Sequence, residues 1–140
     1  MADIVEIAGE DIVESVRAAL QYISYYHTPD YLSHLADAYE REQSASAKAA
    51  IAQILESSSL AATGQRPTCH DTGTLTVFAR LGQSCVIKSD LSLADLINEG
   101  TRLAYKDAGN PLRASMVDDP IYERKNTRDN TPAITHIDVG

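Results

Sequence analysis

Ile12, Val13, Val16, Leu20 and Ile23 recur at the three- and four-residue spacing of one helical face, and this period is expected to hold over residues 1–63. Thr28 before Pro29 supplies an N-cap with proline at the first helical position. Tyr31, Leu32, Leu35, Ala38 and Tyr39 then form the apolar stripe of a second helix. A third, alanine-rich helix is expected from about Ser44 to Ala62, closed by a left-handed Gly64. The tyrosines of this region read as core and interface residues. Beyond residue 73 the period changes to two. Leu75, Val77, Ala79 and Leu81 alternate with Thr74, Thr76, Phe78 and Arg80, which predicts a strand. Gly82-Gln83-Ser84 reads as a turn and Cys85-Val86-Ile87 as a short strand, with Cys85 a small buried hydrophobe.

Ser92 with Asp95 three positions later makes a capping box, and Leu91 can staple against Leu96. Leu93, Leu96, Ile97 and Ala104 supply the buried face of that helix, with Gly109 at its end. The polar stretch "NPLRASMVDDPIYERKNTRDNTP" follows. Its apolar anchors Leu112, Met116, Val117, Ile121 and Tyr122 favour an ordered loop. Ala133 to Val139 alternates as a last strand. The elements together predict an α+β fold: an N-terminal helical part, then a small β-sheet flanked by helices.

Composition narrows the function classes. At 140 residues the chain suits one domain, able to bury about two-thirds of its unfolded surface. No apolar run approaches the roughly 20 residues needed to cross a bilayer, and the acidic N-terminus does not resemble a signal peptide. Two cysteines make no disulfide framework, so a cytoplasmic location without membrane association is expected. The net charge of −8 argues against nucleic-acid binding, which needs a basic face. It leaves room for a small anion held by local arginines, and Arg113, Arg124, Lys125 and Arg128 fall close together.

The chemistry concentrates in "RPTCHDTG", residues 66–73. A cysteine between a helix end and a strand, in a turn with several spare backbone amides, could be a nucleophile, a ligand to a soft iron or zinc centre, or incidental. Adjacent side chains point apart, so Cys69 and His70 do not pair through adjacency. No CxxC or HxxxH spacing supports a metal site.

With the following threonine, "RPTCHDTGT" resembles the first cluster motif of the class I fumarate hydratases, the oxygen-sensitive iron–sulfur hydro-lyases that include L-tartrate dehydratase. "ALQYISYYH", "INEGTRLAY" and "LRASMVDDPIYERKNTRDNTPAITH" carry the resemblance in order along nearly the whole chain. It implies a 4Fe–4S cluster held by three cysteines, whose open iron assists loss of water from malate. By position, Cys69 is the first cluster ligand, His70 and Asp71 contact the substrate, and Arg113 clamps a substrate carboxylate. The family usually shows glutamine where this chain has His70. The other cluster cysteines and the catalytic base lie downstream in such enzymes, and Cys85 matches no ligand position. The resemblance thus implies that residues 1–140 are the N-terminal portion of a larger hydro-lyase domain, completed by further chain or a partner subunit and homodimeric when whole. No residue of this segment is assigned the catalytic step itself. A tartrate dehydratase alpha-type segment is the near alternative; a cluster-free protein that binds a dicarboxylate or pairs with a partner is the distant one.

Overall fold

A computed structural model describes residues 4–70, 72–109 and 112–140. The order of elements is β1 (Val5–Ala8), α1 (Gly9–Tyr25), α2 (Pro29–Arg41), α3 (Ala45–Gly64), β2 (Thr76–Leu81), β3 (Cys85–Lys88), α4 (Leu93–Lys106), β4 (Val117–Asp118), β5 (Lys125–Asn126) and β6 (Ile134–Val139). The fold is the expected mixture of helices and short strands. Contacts divide the chain into two compact units, residues 1–20 with 71–140, and residues 21–70. Among the described residues, no helix is long and apolar enough to cross a membrane.

In the first unit the strands form three two-stranded ladders rather than one small sheet. β1 pairs parallel with β3, β2 parallel with β6, and β4 antiparallel with β5. The first strand departs from the helical reading of the N-terminus. Val5-Glu6-Ile7-Ala8 is too short to establish a period, and its branched side chains suit a ladder against Cys85–Lys88. The turn at residues 82–84 does not fold β2 onto β3; each strand instead takes a partner distant in sequence. Cys85 is half-buried opposite Val5.

α4 is the post of this unit. Ser92 caps it by accepting from the Asp95 amide at 3.1 Å and donating to the Asp95 carboxylate at 2.6 Å. Leu96, Ile97, Gly100, Thr101 and Ala104 are buried, while Leu93 is half-buried and the staple residue Leu91 is exposed. The Thr101 hydroxyl satisfies itself on the Ile97 carbonyl at 2.7 Å. The helix stops at Asp107 rather than Gly109, because the Asp107 carboxylate turns back to accept from the Gly109 amide at 2.9 Å. Arg17 of α1 reaches the other Asp107 oxygen at 2.7 Å.

The second unit holds the end of α1, then α2 and α3. Thr28 is the N-cap of α2, but its side chain makes no cap bond; its hydroxyl is engaged by Asp30, which it holds below the usual carboxylate range with help from the Tyr31 amide. Leu32, Leu35, Ala38 and Tyr39 are half-buried as expected, whereas Ile23, Tyr22 and Tyr31 are exposed. Tyr25 is the tyrosine that is buried. The left-handed cap of α3 is Gln65 at φ 47°, not Gly64, and it leads straight into the cysteine-bearing turn.

At Gly100, α4 comes close to the part of α1 that lies in the first unit. A Cβ there would lie 2.6 Å from the Val13 carbonyl oxygen and 2.7 Å from the Val16 Cβ. Backbone cannot step aside as a flexible side chain can, so Gly100→Ala is expected to cost about 2–3 kcal/mol. Urea unfolding of the variant against the unaltered chain checks this; equal midpoints would show that α1 and α4 separate freely.

Candidate functional site

The "RPTCHDTG" stretch begins where α3 ends. The Arg66 amide donates to the Ala61 carbonyl at 3.0 Å and the Thr68 amide to the Ser24 carbonyl at 2.9 Å. These bonds hold the entrance of the turn, with Pro67 and Thr68 half-buried, while Cys69 and His70 stand exposed. Both cysteines are thiols rather than half of a disulfide. Asp71 lies outside the described residues. Cys69 and His70 belong to the second unit, and Arg113 to the first.

What the first unit does bring together is Arg113 and the far end of the motif. The Thr72 hydroxyl donates to the Arg113 carbonyl and sits 2.9 Å from the Ser115 hydroxyl. Asn130 completes the arrangement. Its Oδ1 accepts from the Ser115 amide at 2.9 Å and the Met116 amide at 3.0 Å, and its Nδ2 donates to the Gly73 carbonyl at 2.9 Å. Asn126 Nδ2 donates to the Ala114 carbonyl at 2.8 Å, and the Thr127 amide to the Met116 carbonyl at 3.0 Å. Gly73, at φ 59°, turns its carbonyl toward this group in a conformation that costs glycine least.

No pattern in the sequence marks Asn130. It is fully buried and left-handed at φ 57°, a conformation asparagine tolerates better than most residues. A buried asparagine within a polar run breaks no hydrophobic pattern, so only its bonds reveal it. Ile121 and Tyr122, expected to anchor the same segment, are instead exposed at the tip between β4 and β5. That tip is ordered instead by Asp119, whose carboxylate accepts from the Tyr122 amide at 3.1 Å. Leu112 is buried, and Met116 and Val117 are half-buried.

Arg113 is exposed, and among the described residues its guanidinium makes no ion pair, nor do those of Arg124 and Arg128. Lys125 pairs with Glu123. An arginine on a fixed backbone, its planar fork without an ion pair among the described residues, can receive a carboxylate through two parallel bonds. The cluster implied by the motif is a separate matter. Among the described residues no three His, Cys, Asp or Glu side chains converge as a metal site would need. An exposed Cys69 fits one thiolate ligand, and Cys85 is committed to β3. These residues therefore fit one ligand of three and not the whole group.

Asp129 secures the base of the site. Burial would raise its pKa, but the Thr131 hydroxyl at 2.8 Å, the Thr131 amide at 3.2 Å, and the charges of Lys106 and Arg102 outweigh burial and hold it below the usual carboxylate range. A carboxylate depressed in the folded state stabilises the fold above its unfolded value of about 4, and that contribution is lost as pH falls through its folded value. Asp129→Asn is expected to lower stability by about 1–2 kcal/mol at pH 7, with the gap narrowing at a second, acidic pH below the usual carboxylate range. Urea unfolding at the two pH values reads this out, and a gap independent of pH would contradict the assignment.

Comparison with known proteins agrees with the motifs. Residues 13–140 match the family described as fumarate hydratase (fumerase). The chain is also 30% identical over 106 residues to a protein of Methanocaldococcus jannaschii named "Putative L(+)-tartrate dehydratase subunit alpha", covering 76% of this chain and 35% of that relative. It thus spans about a third of the length of the curated relative it matches. Because the matched span contains the cysteine-bearing turn, Arg113 and the Asn130 bonds, and runs over most of the sequence, the chain belongs to the fumarate hydratase family.

Proposed function

We propose that this chain is the N-terminal portion of an iron–sulfur hydro-lyase that interconverts (S)-malate and fumarate in the cytoplasm. The observation that carries the reading is the family match over residues 13–140, which contains every residue to which a role is given. A 4Fe–4S cluster, when bound, supplies an open iron as Lewis acid toward the departing hydroxyl. The part of this chain is to bind and orient. Cys69 offers a thiolate from an exposed, backbone-anchored turn, and Arg113 receives one substrate carboxylate on its guanidinium fork. His70 and Asp71 contact the substrate, His70 offering a ring nitrogen where the family usually offers a neutral amide. The remaining two thiolates and the base come from further polypeptide, either the rest of the same chain or a partner subunit, and the complete protein is a homodimer.

The name of the Methanocaldococcus relative favours a second reading, in which the substrate is L-tartrate and this chain is part of an alpha subunit. The two substrates differ by one hydroxyl, so the chemistry is the same. Relative kcat/KM for (S)-malate and L-tartrate on the complete enzyme chooses between them.

Two substitutions test the roles. In the complete enzyme Arg113→Lys replaces a planar fork by a point charge and is expected to lose about 2–3 kcal/mol of transition-state binding, the scale of a charge-assisted hydrogen bond. A kcat/KM within twofold of the unaltered enzyme would remove the clamp. Cys69→Ser is expected to abolish both iron–sulfur absorption and turnover in protein prepared without oxygen, while Cys85→Ala costs only packing, about 1 kcal/mol. Retention of full iron and sulfide content by the Cys69 variant would refute its role as ligand.

A further inference from the structure

Among the described residues, other segments hold residues 113–116 at five of their eight backbone polar groups. The Arg113 carbonyl takes the Thr72 hydroxyl, the Ala114 carbonyl takes Asn126, and the Ser115 and Met116 amides both go to Asn130. The Met116 carbonyl takes the Thr127 amide. No helix or ladder contains Arg113, so its position depends on these side chains. Among the described residues, Asn130 is the one bonded both to this segment and to Gly73 at the end of the cysteine-bearing motif.

We infer that Asn130 is a positioning residue of the substrate site: its buried amide locks the backbone that carries Arg113 to the Thr72–Gly73 end of the motif, so that the geometry of carboxylate binding depends on it. The inference rests on the reading of Arg113 as the carboxylate clamp. An asparagine suits the place because it must accept from two amides and donate to one carbonyl at once. Aspartate would keep the two accepted bonds but face the Gly73 carbonyl with an oxygen in place of a donor. Leucine would be similar in size and lose all three bonds. Full burial means that water cannot replace what is lost.

The effect on chemistry is transmitted through Arg113 and is therefore measurable as coupling. In the complete enzyme with (S)-malate, Asn130→Asp is expected to lower kcat/KM about ten- to a hundredfold, the scale of a binding group displaced by roughly an ångström. In an Arg113→Ala background the same change is expected to cost less than about threefold, because the group being positioned is already gone. A merely structural asparagine would cost the same factor in both backgrounds, and that result, or an unaltered kcat/KM in the single variant, would overturn the inference. If Asn130→Asp fails to fold, Thr72→Val removes the tie to the Arg113 carbonyl from the opposite side and is read in the same cycle, with the same coupling expected and independence again overturning it. Failure of the unaltered enzyme to turn over malate or tartrate would defeat the hydro-lyase reading and this inference with it. Turnover in the unaltered enzyme with no coupling would defeat the positioning role alone.

Discussion

Three hydrogen bonds made by one buried side-chain amide organise the segment between α4 and β6. Residues 112–130 contain only two two-residue strands, so most of their backbone donors and acceptors have no ladder to enter. Buried peptide groups left unpaired would each cost on the order of 1–3 kcal/mol. Asn130, Asn126 and Thr72 replace the missing ladder with side chains, and the segment is ordered by polar rather than apolar means. This explains why Ile121 and Tyr122 can be exposed without the loop losing its form.

The bonds around Asn130 stand on α4. Asn98 of that helix accepts from the Ala133 amide at 2.8 Å, which fixes the entry to β6. Arg102 and Lys106 hold Asp129, the residue next to Asn130. The opposite side of the same helix buries Ile97, Thr101 and Ala104 and meets α1 at Gly100. Packing and polar positioning thus share one element. In a chain of net charge −8, an arginine held by such a backbone and without an ion pair among the described residues is a local feature that bulk charge does not reveal.

The sequence by itself determined the parts whose cause is local. Period 3.6 in residues 12–20 and 93–104, proline at the first position of α2, the Ser92 and Asp95 cap, and period 2 in β2 all follow from which side chains can share a face or satisfy a helix end. β6 forms where its strand is expected, but Ile134, Ile137 and Val139 are all exposed. The family was legible too, because its motif residues stand in order along the chain. The tertiary structure decided whatever needs a distant partner. β1 exists because Cys85–Lys88 pairs with it, and Ile23 is exposed although it shares its helical face with Leu20. Asn130, 57 residues from Gly73 in the chain, acquires its role only when folding brings the Gly73 and Ser115–Met116 segments to one amide. A hydrogen-bonding side chain has no periodicity of its own, so its partners are set by topology and not by its neighbours in sequence.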